Sequence, residues 1–214
     1  MRISNDFLIG IGASAKPTCY MIEIKEPNLD NIYDYAEEYY DGIVNNPIRN
    51  FAIEQIVKHE RIAFNNNILI LVEHTEHGNI LKSLLCNKSY GIVDFTHGAR
   101  STKDRQTILA NLKSGKINVL ISTSVLDEGV DADNINTVIY ARGQKSPRKL
   151  LQGLGRGLRK KRDGSGLKFY DFLDFTGRTL KDHILERYTV LKEEGFVIKK
   201  LDISKIESVG GTNE

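Results

Sequence analysis

The sequence predicts an α/β domain of the doubly wound kind, a mainly parallel sheet with helices on both faces. Short apolar runs rich in β-branched residues alternate with helix-period segments, and clear caps and glycines separate the two. Strands alternating with helices need crossover connections, which make neighbouring strands parallel and cover both faces of the sheet. Ligands of such domains sit beyond the carboxyl ends of the strands.

The strand candidates are Thr18–Ile24, Ile68–Val72, Ile92–Phe95, Val119–Ser122, Thr137–Tyr140, Leu167–Phe172 and Phe196–Leu201. A first helix opens with Asn46 as N-cap and Pro47 in its first turn. It is expected to bury Ile48, Phe51, Ala52 and Ile56, with Ile62 as a further candidate. A second runs from Ser101 or Thr102 with Ile108, Leu109 and Leu112 as its stripe, and stops at Gly115. A third starts at Thr179, aligns Leu180, Ile184, Tyr188 and Leu191, and stops at Gly195. The run Phe169–Phe175 reads as a buried late strand and its exit. Residues 1–15 read as a linker or the remnant of a preceding domain, 16–203 as the domain, and 204–214 as a flexible tail.

A chain of 214 residues, 40% hydrophobic and 27% charged, is long enough for one good core and carries no sign of disorder or a fibrous class. The longest apolar run, Ile68–Val72, falls far short of the ~20 residues that cross a bilayer, and the first residues lead into no signal-peptide core. An intracellular protein, in cytoplasm or nucleoid or in host cytoplasm if viral, is expected. Cys19 and Cys86 stand far apart and in no metal spacing, so they read as reduced core thiols. Net charge is only +2, but Arg142–Arg162 is strongly basic and Asp30–Asp41 acidic.

Gln152-Gly-Leu-Gly-Arg156-Gly-Leu-Arg159 is the most informative segment. If Pro147 opens a helix, Gln152, Arg156 and Arg159 fall at i, i+4 and i+7 on one face, while Leu151, Leu154 and Leu158 form a separate stripe. Gly153, Gly155 and Gly157 inside a helix would cost about 1 kcal/mol each against alanine. A surface helix with incidental arginines would not choose them, whereas close approach of a ligand to the backbone would. Planar, permanently charged guanidiniums suit the spread negative charge of a transferring phosphoryl group.

The pattern Q-x-x-G-R-x-x-R resembles motif VI of superfamily 2 helicases. Upstream residues resemble other motifs of that family in the same order. Thr123-Ser-Val-Leu-Asp-Glu-Gly129-Val-Asp131 is similar to motif V, Phe95-Thr96-His97-Gly98 with Arg105 to the signature before it, and Ile68–Val72 with His74-Thr75 to motif IV. The resemblance covers residues 16 to 175 and implies the carboxyl-terminal RecA-like motor domain. It implies that Arg156, Arg159 and Gln152 reach the ATP phosphates from across a cleft, with Gly129 and Asp131 near the nucleotide and Asp131 on the ribose. Thr75, Gly98, Arg105 and Thr123 would face the nucleic-acid backbone, which hydroxyls and amides can hold without reading bases.

Glu128 and Gly153 depart from the RNA-acting DEAD-box pattern and look more like the DNA-acting DEXH branch, so DNA is favoured over RNA. Gly10–Pro17 lacks the Gly-Lys-Ser/Thr ending of a phosphate loop, and no acidic Walker B box follows. The expected partners are therefore ATP with Mg²⁺ held by an N-terminal RecA-like domain of the same protein, and no membrane. The rival readings are the motor part of a restriction endonuclease, an RNA helicase domain, and a non-catalytic nucleic-acid-binding scaffold. His74, His77 and His97 lack a completing ligand for zinc and read as loop histidines; no metal site is expected in this chain. Tyr33, Tyr35, Tyr39 and Tyr40 stand among acids and read as packing on a neighbouring domain.

Overall fold

The computed structural model describes residues 18–98, 101–123, 135–145, 147, 151 and 167–203. Among them, one sheet holds β1 (Thr18–Ile24), β2 (Ile68–Leu71), β3 (Val93–Thr96), β4 (Val119–Ser122), β5 (Thr137–Tyr140), β6 (Lys168–Asp174) and β7 (Val197–Leu201). The spatial order is β3-β4-β2-β5-β6-β1-β7, and every pairing is parallel. The helices are α1 (Tyr35–Tyr39), which runs into a π-helical turn at Tyr40–Val44, α2 (Pro47–Ile62), α3 (Thr75–Leu85), α4 (Thr102–Lys113) and α5 (Arg178–Glu193).

Alternation along the strands sends side chains to opposite faces, and each face has its own helices. On one, Leu69, Leu71, Leu120, Val138 and Phe169 pack with Ile108 and Leu112 of α4 and Ile184 and Leu191 of α5. On the other, Ile68, Ile70, Ile121, Ile139 and Phe172 pack with Ala52, Ile53 and Ile56 of α2 and Leu81 and Leu85 of α3. The doubly wound architecture expected from alternation is therefore present. A third cluster of Tyr39, Ile43, Val44 and Leu180 lies where α1 and its π turn meet the start of α5.

The caps behave as the residue types require. Asn46 Oδ1 accepts from the amides of Ile48 and Arg49 at 3.0 and 3.1 Å, and Ser101 Oγ accepts from Asp104 at 3.1 Å. Helix α5 has no side-chain cap of its own at Gly177. Instead the buried Glu38 carboxylate accepts from the Leu180 amide at 2.9 Å, placing negative charge at the positive end of the helix. A β-carbon at Gly177 would overlap Glu38, so glycine there is a packing requirement.

The inward face of α2 differs from the expectation. Ile48, Phe51 and Ile62 are exposed, while Arg49, Ile53, Val57 and Glu60 are buried. The helix is turned by its two polar ends. Arg49 Nε pairs with Asp174 Oδ1 at 2.8 Å at the carboxyl end of β6. Glu60 accepts from Tyr170 Oη at 2.7 Å, Lys168 Nζ at 2.9 Å and Thr137 Oγ1 at 2.8 Å near the start of β5 and β6. Eleven helical residues span about 16 Å, which matches the ~13–20 Å of strand from Asp174 back to Tyr170 and Lys168. In α5, Tyr188 is similarly part-exposed, and Arg187 takes the inward position next to it. β6 also runs past Phe172 to Asp174, because its two acids find buried arginines.

Burial alone would raise the Glu60 carboxyl, but hydrogen bonds from Tyr170, Asn66 and Lys168 outweigh it and leave its pKa below the ordinary value. A carboxylate with a depressed folded pKa stabilises above its unfolded value and loses that contribution as pH falls through the folded one. Glu60→Gln should therefore cost about 2 kcal/mol near neutral pH in denaturant unfolding. The gap to the parent chain should close as pH falls below about 4. A gap that persisted unchanged in acid would show that the charge of Glu60 is not what matters.

Candidate functional site

Four strands end level with one another. Thr96 of β3 pairs with Ser122 of β4, Ser122 with Leu71 of β2, and Leu71 with Tyr140 of β5. The segments that leave these strands consequently start along one line at the carboxyl edge of the sheet. Thr75 is the first residue of α3 rather than part of a loop, and it is exposed. Gly98 follows β3, also exposed, and Thr123 follows β4, half-buried with its amide 3.3 Å from Thr96 O. The structure thus brings Thr75, Gly98 and Thr123 to the exits of three adjacent strands.

Gly98 carries information of its own. Among the described residues, a β-carbon there would meet nothing within 4 Å, so no crowding among them calls for glycine. Close approach by a ligand to the backbone is a physical reason that remains. Arg105 lies in the first turns of α4, with its side chain outside the described residues.

Gln152, Arg156, Arg159, Gly129 and Asp131 lie outside the described residues, as do Glu128, Gly153 and the Gly10–Pro17 segment. The root of the arginine segment is described. Pro147 and Leu151 are buried, and the Leu151 amide donates to Pro147 O at 2.9 Å, the first helical hydrogen bond after the proline. Leu151 joins the core beside α4 and α5, so Gln152 begins one peptide, about 3.8 Å, from a fixed anchor.

Between β5 and that anchor runs a set of charged side chains that sequence patterns did not single out. Arg187 donates from Nε to Asp171 Oδ2 at 2.9 Å, and from Nη2 to Phe172 O at 2.7 Å and Asp174 Oδ2 at 3.3 Å. Arg49, Asp174, Arg187 and Asp171 form one chain of alternating charge, all buried. Burial opposes the Arg187 charge, but Asp171 and Asp174 outweigh it and raise its pKa. Burial works the other way on Asp171 and raises its carboxyl. The guanidinium cannot lose its proton in a protein, so it fixes the charge of the network.

Arg142, the first residue of the basic stretch, faces inward instead of offering a solvated charge. Its guanidinium donates to Val72 O at 3.2 Å and to Thr123 O, linking the exits of β2, β4 and β5. Tyr39 is buried and donates to Arg142 O, so it packs within this fold rather than on a neighbouring domain; Tyr33 remains exposed. One signal could have found these residues. Arg187 continues the Leu180, Ile184 stripe of α5, and Arg49 leads the Ile53, Ile56 stripe of α2, so each is a charge on an apolar line.

His77 corrects the reading of loop histidines, being fully buried in α3 two residues after Thr75. Its Nε2 lies 2.9 Å from Asn50 Oδ1, while Asn50 Nδ2 donates to Val44 O at 2.9 Å. The Asn50 oxygen must then be the acceptor, so Nε2 carries the proton of a neutral ring. His74 caps the rings of Tyr39 and Tyr40.

A family model described as "Helicase conserved C-terminal domain" matches residues 50–161, just over half of the chain. The pre-mRNA-splicing ATP-dependent RNA helicase PRP28 of Meyerozyma guilliermondii is 27% identical over 146 residues, 67% of this chain and 25% of that protein. The ATP-dependent DNA helicase uvsW of Enterobacteria phage T4 is 30% identical over 112 residues, 52% of this chain and 22% of that protein. The alignments thus take in about a quarter of the length of either relative. The crystal structure of T4 UvsW superposes with a TM-score of 0.67 at 21% identity, covering 87% of this chain and 42% of that one, a likeness of fold.

Burial, reinforced by Arg49 and His74, lowers the His77 pKa to about 3. A histidine held neutral in the fold stabilises fully above its unfolded value and loses that contribution as pH falls below it. Stability should therefore decline from about pH 6.5 downward, by at most about 1.4 kcal/mol per pH unit from this group. Replacing His77 with Asn should flatten the decline, and an NMR titration should find the ring neutral down to about pH 4. A ring that titrates near the ordinary histidine value would contradict its burial.

Proposed function

We propose, from the premise that this chain belongs to the helicase conserved C-terminal domain family, that it is the second motor domain of an ATP-dependent nucleic-acid helicase or translocase. The observation that carries the reading is the level carboxyl edge of β3, β4 and β2. It sets Thr75, Gly98 and Thr123 just beyond the ends of three adjacent strands of the sheet whose core also holds Leu151, the residue before Gln152. A row of hydroxyls and open backbone suits a sugar-phosphate strand gripped without regard to base. A translocating motor needs such a grip.

ATP is bound between this domain and an N-terminal RecA-like domain. The present 214 residues contain no Gly-Lys-Ser/Thr phosphate loop, so that loop and the Mg²⁺ belong to the other domain, and this chain alone hydrolyses essentially no ATP. Arg156 and Arg159 supply positive charge to the transferring phosphoryl group, with Gln152 near the γ-phosphate and Gly129 and Asp131 at the nucleotide. Such charge accelerates the reaction because it meets negative charge that spreads in the transition state. The motor works inside the cell.

DNA is the favoured track, on the strength of Glu128 and Gly153. The relatives divide on the point: PRP28 is named an RNA helicase and uvsW a DNA helicase. In the intact motor, Arg156→Ala should lower nucleic-acid-stimulated ATPase by on the order of a thousandfold or more with its unfolding midpoint unchanged. Normal turnover in that variant would remove the arginine from the chemistry. Single-stranded DNA, duplex DNA and RNA should be compared as stimulators; a stronger response to RNA would overturn the choice of DNA.

A further inference from the structure

The residues that follow β5 are held by their carbonyls. Ala141 O accepts from Arg49 Nη1 at 3.0 Å and Arg142 O from Tyr39 Oη at 2.5 Å. Gly143 O lies 3.2 Å from His183 Nδ1, and Gln144 O accepts from Arg187 Nη1 at 3.2 Å. A carbonyl can only accept, so His183 donates from Nδ1. Four consecutive carbonyls are thus taken by four side chains from α1, α2 and α5, and all four side chains are buried.

A segment leaving a strand end ordinarily satisfies its carbonyls with water. Holding four large side chains in single rotamers for this purpose costs conformational entropy, which an idle connection would not require. The turn itself is equally specified. Gly143 has φ +66°, and a β-carbon there would lie 2.8 Å from Ile43 Cδ1, so both conformation and space exclude a side chain. The two arginines are themselves fixed by Asp174 and Asp171, which ties the segment to helices on both faces of the sheet. Three residues beyond Gln144 stands Pro147, whose carbonyl accepts from the Leu151 amide at 2.9 Å.

We propose that Tyr39, Arg49, His183 and Arg187 are positioning residues for the arginine segment: their hold on the carbonyls of residues 141–144 sets where the chain enters the Pro147 turn, and so where Arg156 and Arg159 meet the ATP phosphates. The inference rests on the role given above to those arginines. Misplacement of a catalytic group by about 1 Å can cost on the order of a hundredfold in rate, so a well-fixed root has value beyond stability.

Substitution of Arg49 or Arg187 would strand buried carboxylates and unfold the domain, so the test uses the neutral members in the intact motor. Tyr39→Phe and His183→Leu each remove one donor. Each should lower kcat of the stimulated ATPase about tenfold, the rate equivalent of one hydrogen bond, with KM for ATP within about twofold. His183→Asn, whose amide can stand in for Nδ1–H, should restore most of the rate. Amide hydrogen exchange of Gln144–Leu151 should quicken in Tyr39→Phe while that of the central strands does not.

In an Arg156→Ala background, with enough protein to measure the residual rate, Tyr39→Phe and His183→Leu should cost clearly less than tenfold, because only Arg159 remains to be misplaced. Unchanged kcat in folded variants would overturn the proposal, as would unchanged exchange. An undiminished tenfold loss in the Arg156→Ala background would overturn it too, because the residues would then act independently of the arginine. Normal turnover in Arg156→Ala alone would instead defeat the proposed role of the arginine, and this inference with it. The two failures are therefore told apart by the single variant.

Discussion

The pairing of Arg49 with Asp174 at the carboxyl end of β6 is the constraint on which the rest of the domain depends. It fixes the near end of α2, while Glu60 fixes the far end against Lys168, Tyr170 and Thr137. A helix held at two points along a strand can neither slide nor rotate. Apolar packing alone would tolerate a shift of one ridge, because Ile53, Ile56 and Val57 could find equivalent grooves. Asp174 also accepts from Arg187 of α5, so the same carboxylate ties together helices from opposite faces of the sheet.

Such a network is a costly way to gain stability. Desolvating two arginines and two carboxylates cancels much of their attraction, and a well-packed apolar replacement could be as stable. Breaking it by removing one partner, in contrast, would cost about 3–5 kcal/mol, because a buried charge would be left without its counterion. The better physical reading is that the charges specify geometry. Their remaining donors reach Ala141 and Gln144 carbonyls, so the register imposed on α2 and α5 is passed directly to the chain leaving β5. Arg142 adds a tie between that chain and the exits of β2 and β4. The carboxyl edge of the sheet is therefore connected from the Thr75 side to the root of the arginine segment through hydrogen bonds between rigid elements.

How much of this was legible in the sequence depended on the kind of signal. Strands were found because their apolar runs are buried on both faces and bounded by turns, as at Ile68–Leu71 and Val119–Ser122. Helix starts were found where local chemistry decides them, at Asn46 and Ser101. Periodicity failed at Ile48 and Tyr188, each one position from a buried arginine, and at Phe51, two positions from Arg49. It failed because hydrophobicity scores a guanidinium as outward, whereas one paired with a buried carboxylate lies inside. Helix α1 was missed since its five residues, Tyr35–Tyr39, are too few for a hydrophobic period, although Asp34 caps it and Tyr39 packs with Leu180 of α5.

By itself, the sequence determined the doubly wound class, the order of the strands and of three of the five described α-helices, and the motif residues near the strand exits. These follow from local rules: side-chain period, capping chemistry and the residue types that meet phosphate. The tertiary structure alone decided that β2, β3, β4 and β5 end level, that Tyr39 and Arg142 point inward, and that carbonyls 141–144 are held by Tyr39, Arg49, His183 and Arg187. The contacts to those four carbonyls join residues separated by 40 to 103 positions in the chain. No local pattern encodes such a partner, because a buried charge is tolerated only where the fold has already brought its counterion and its acceptor to the same place.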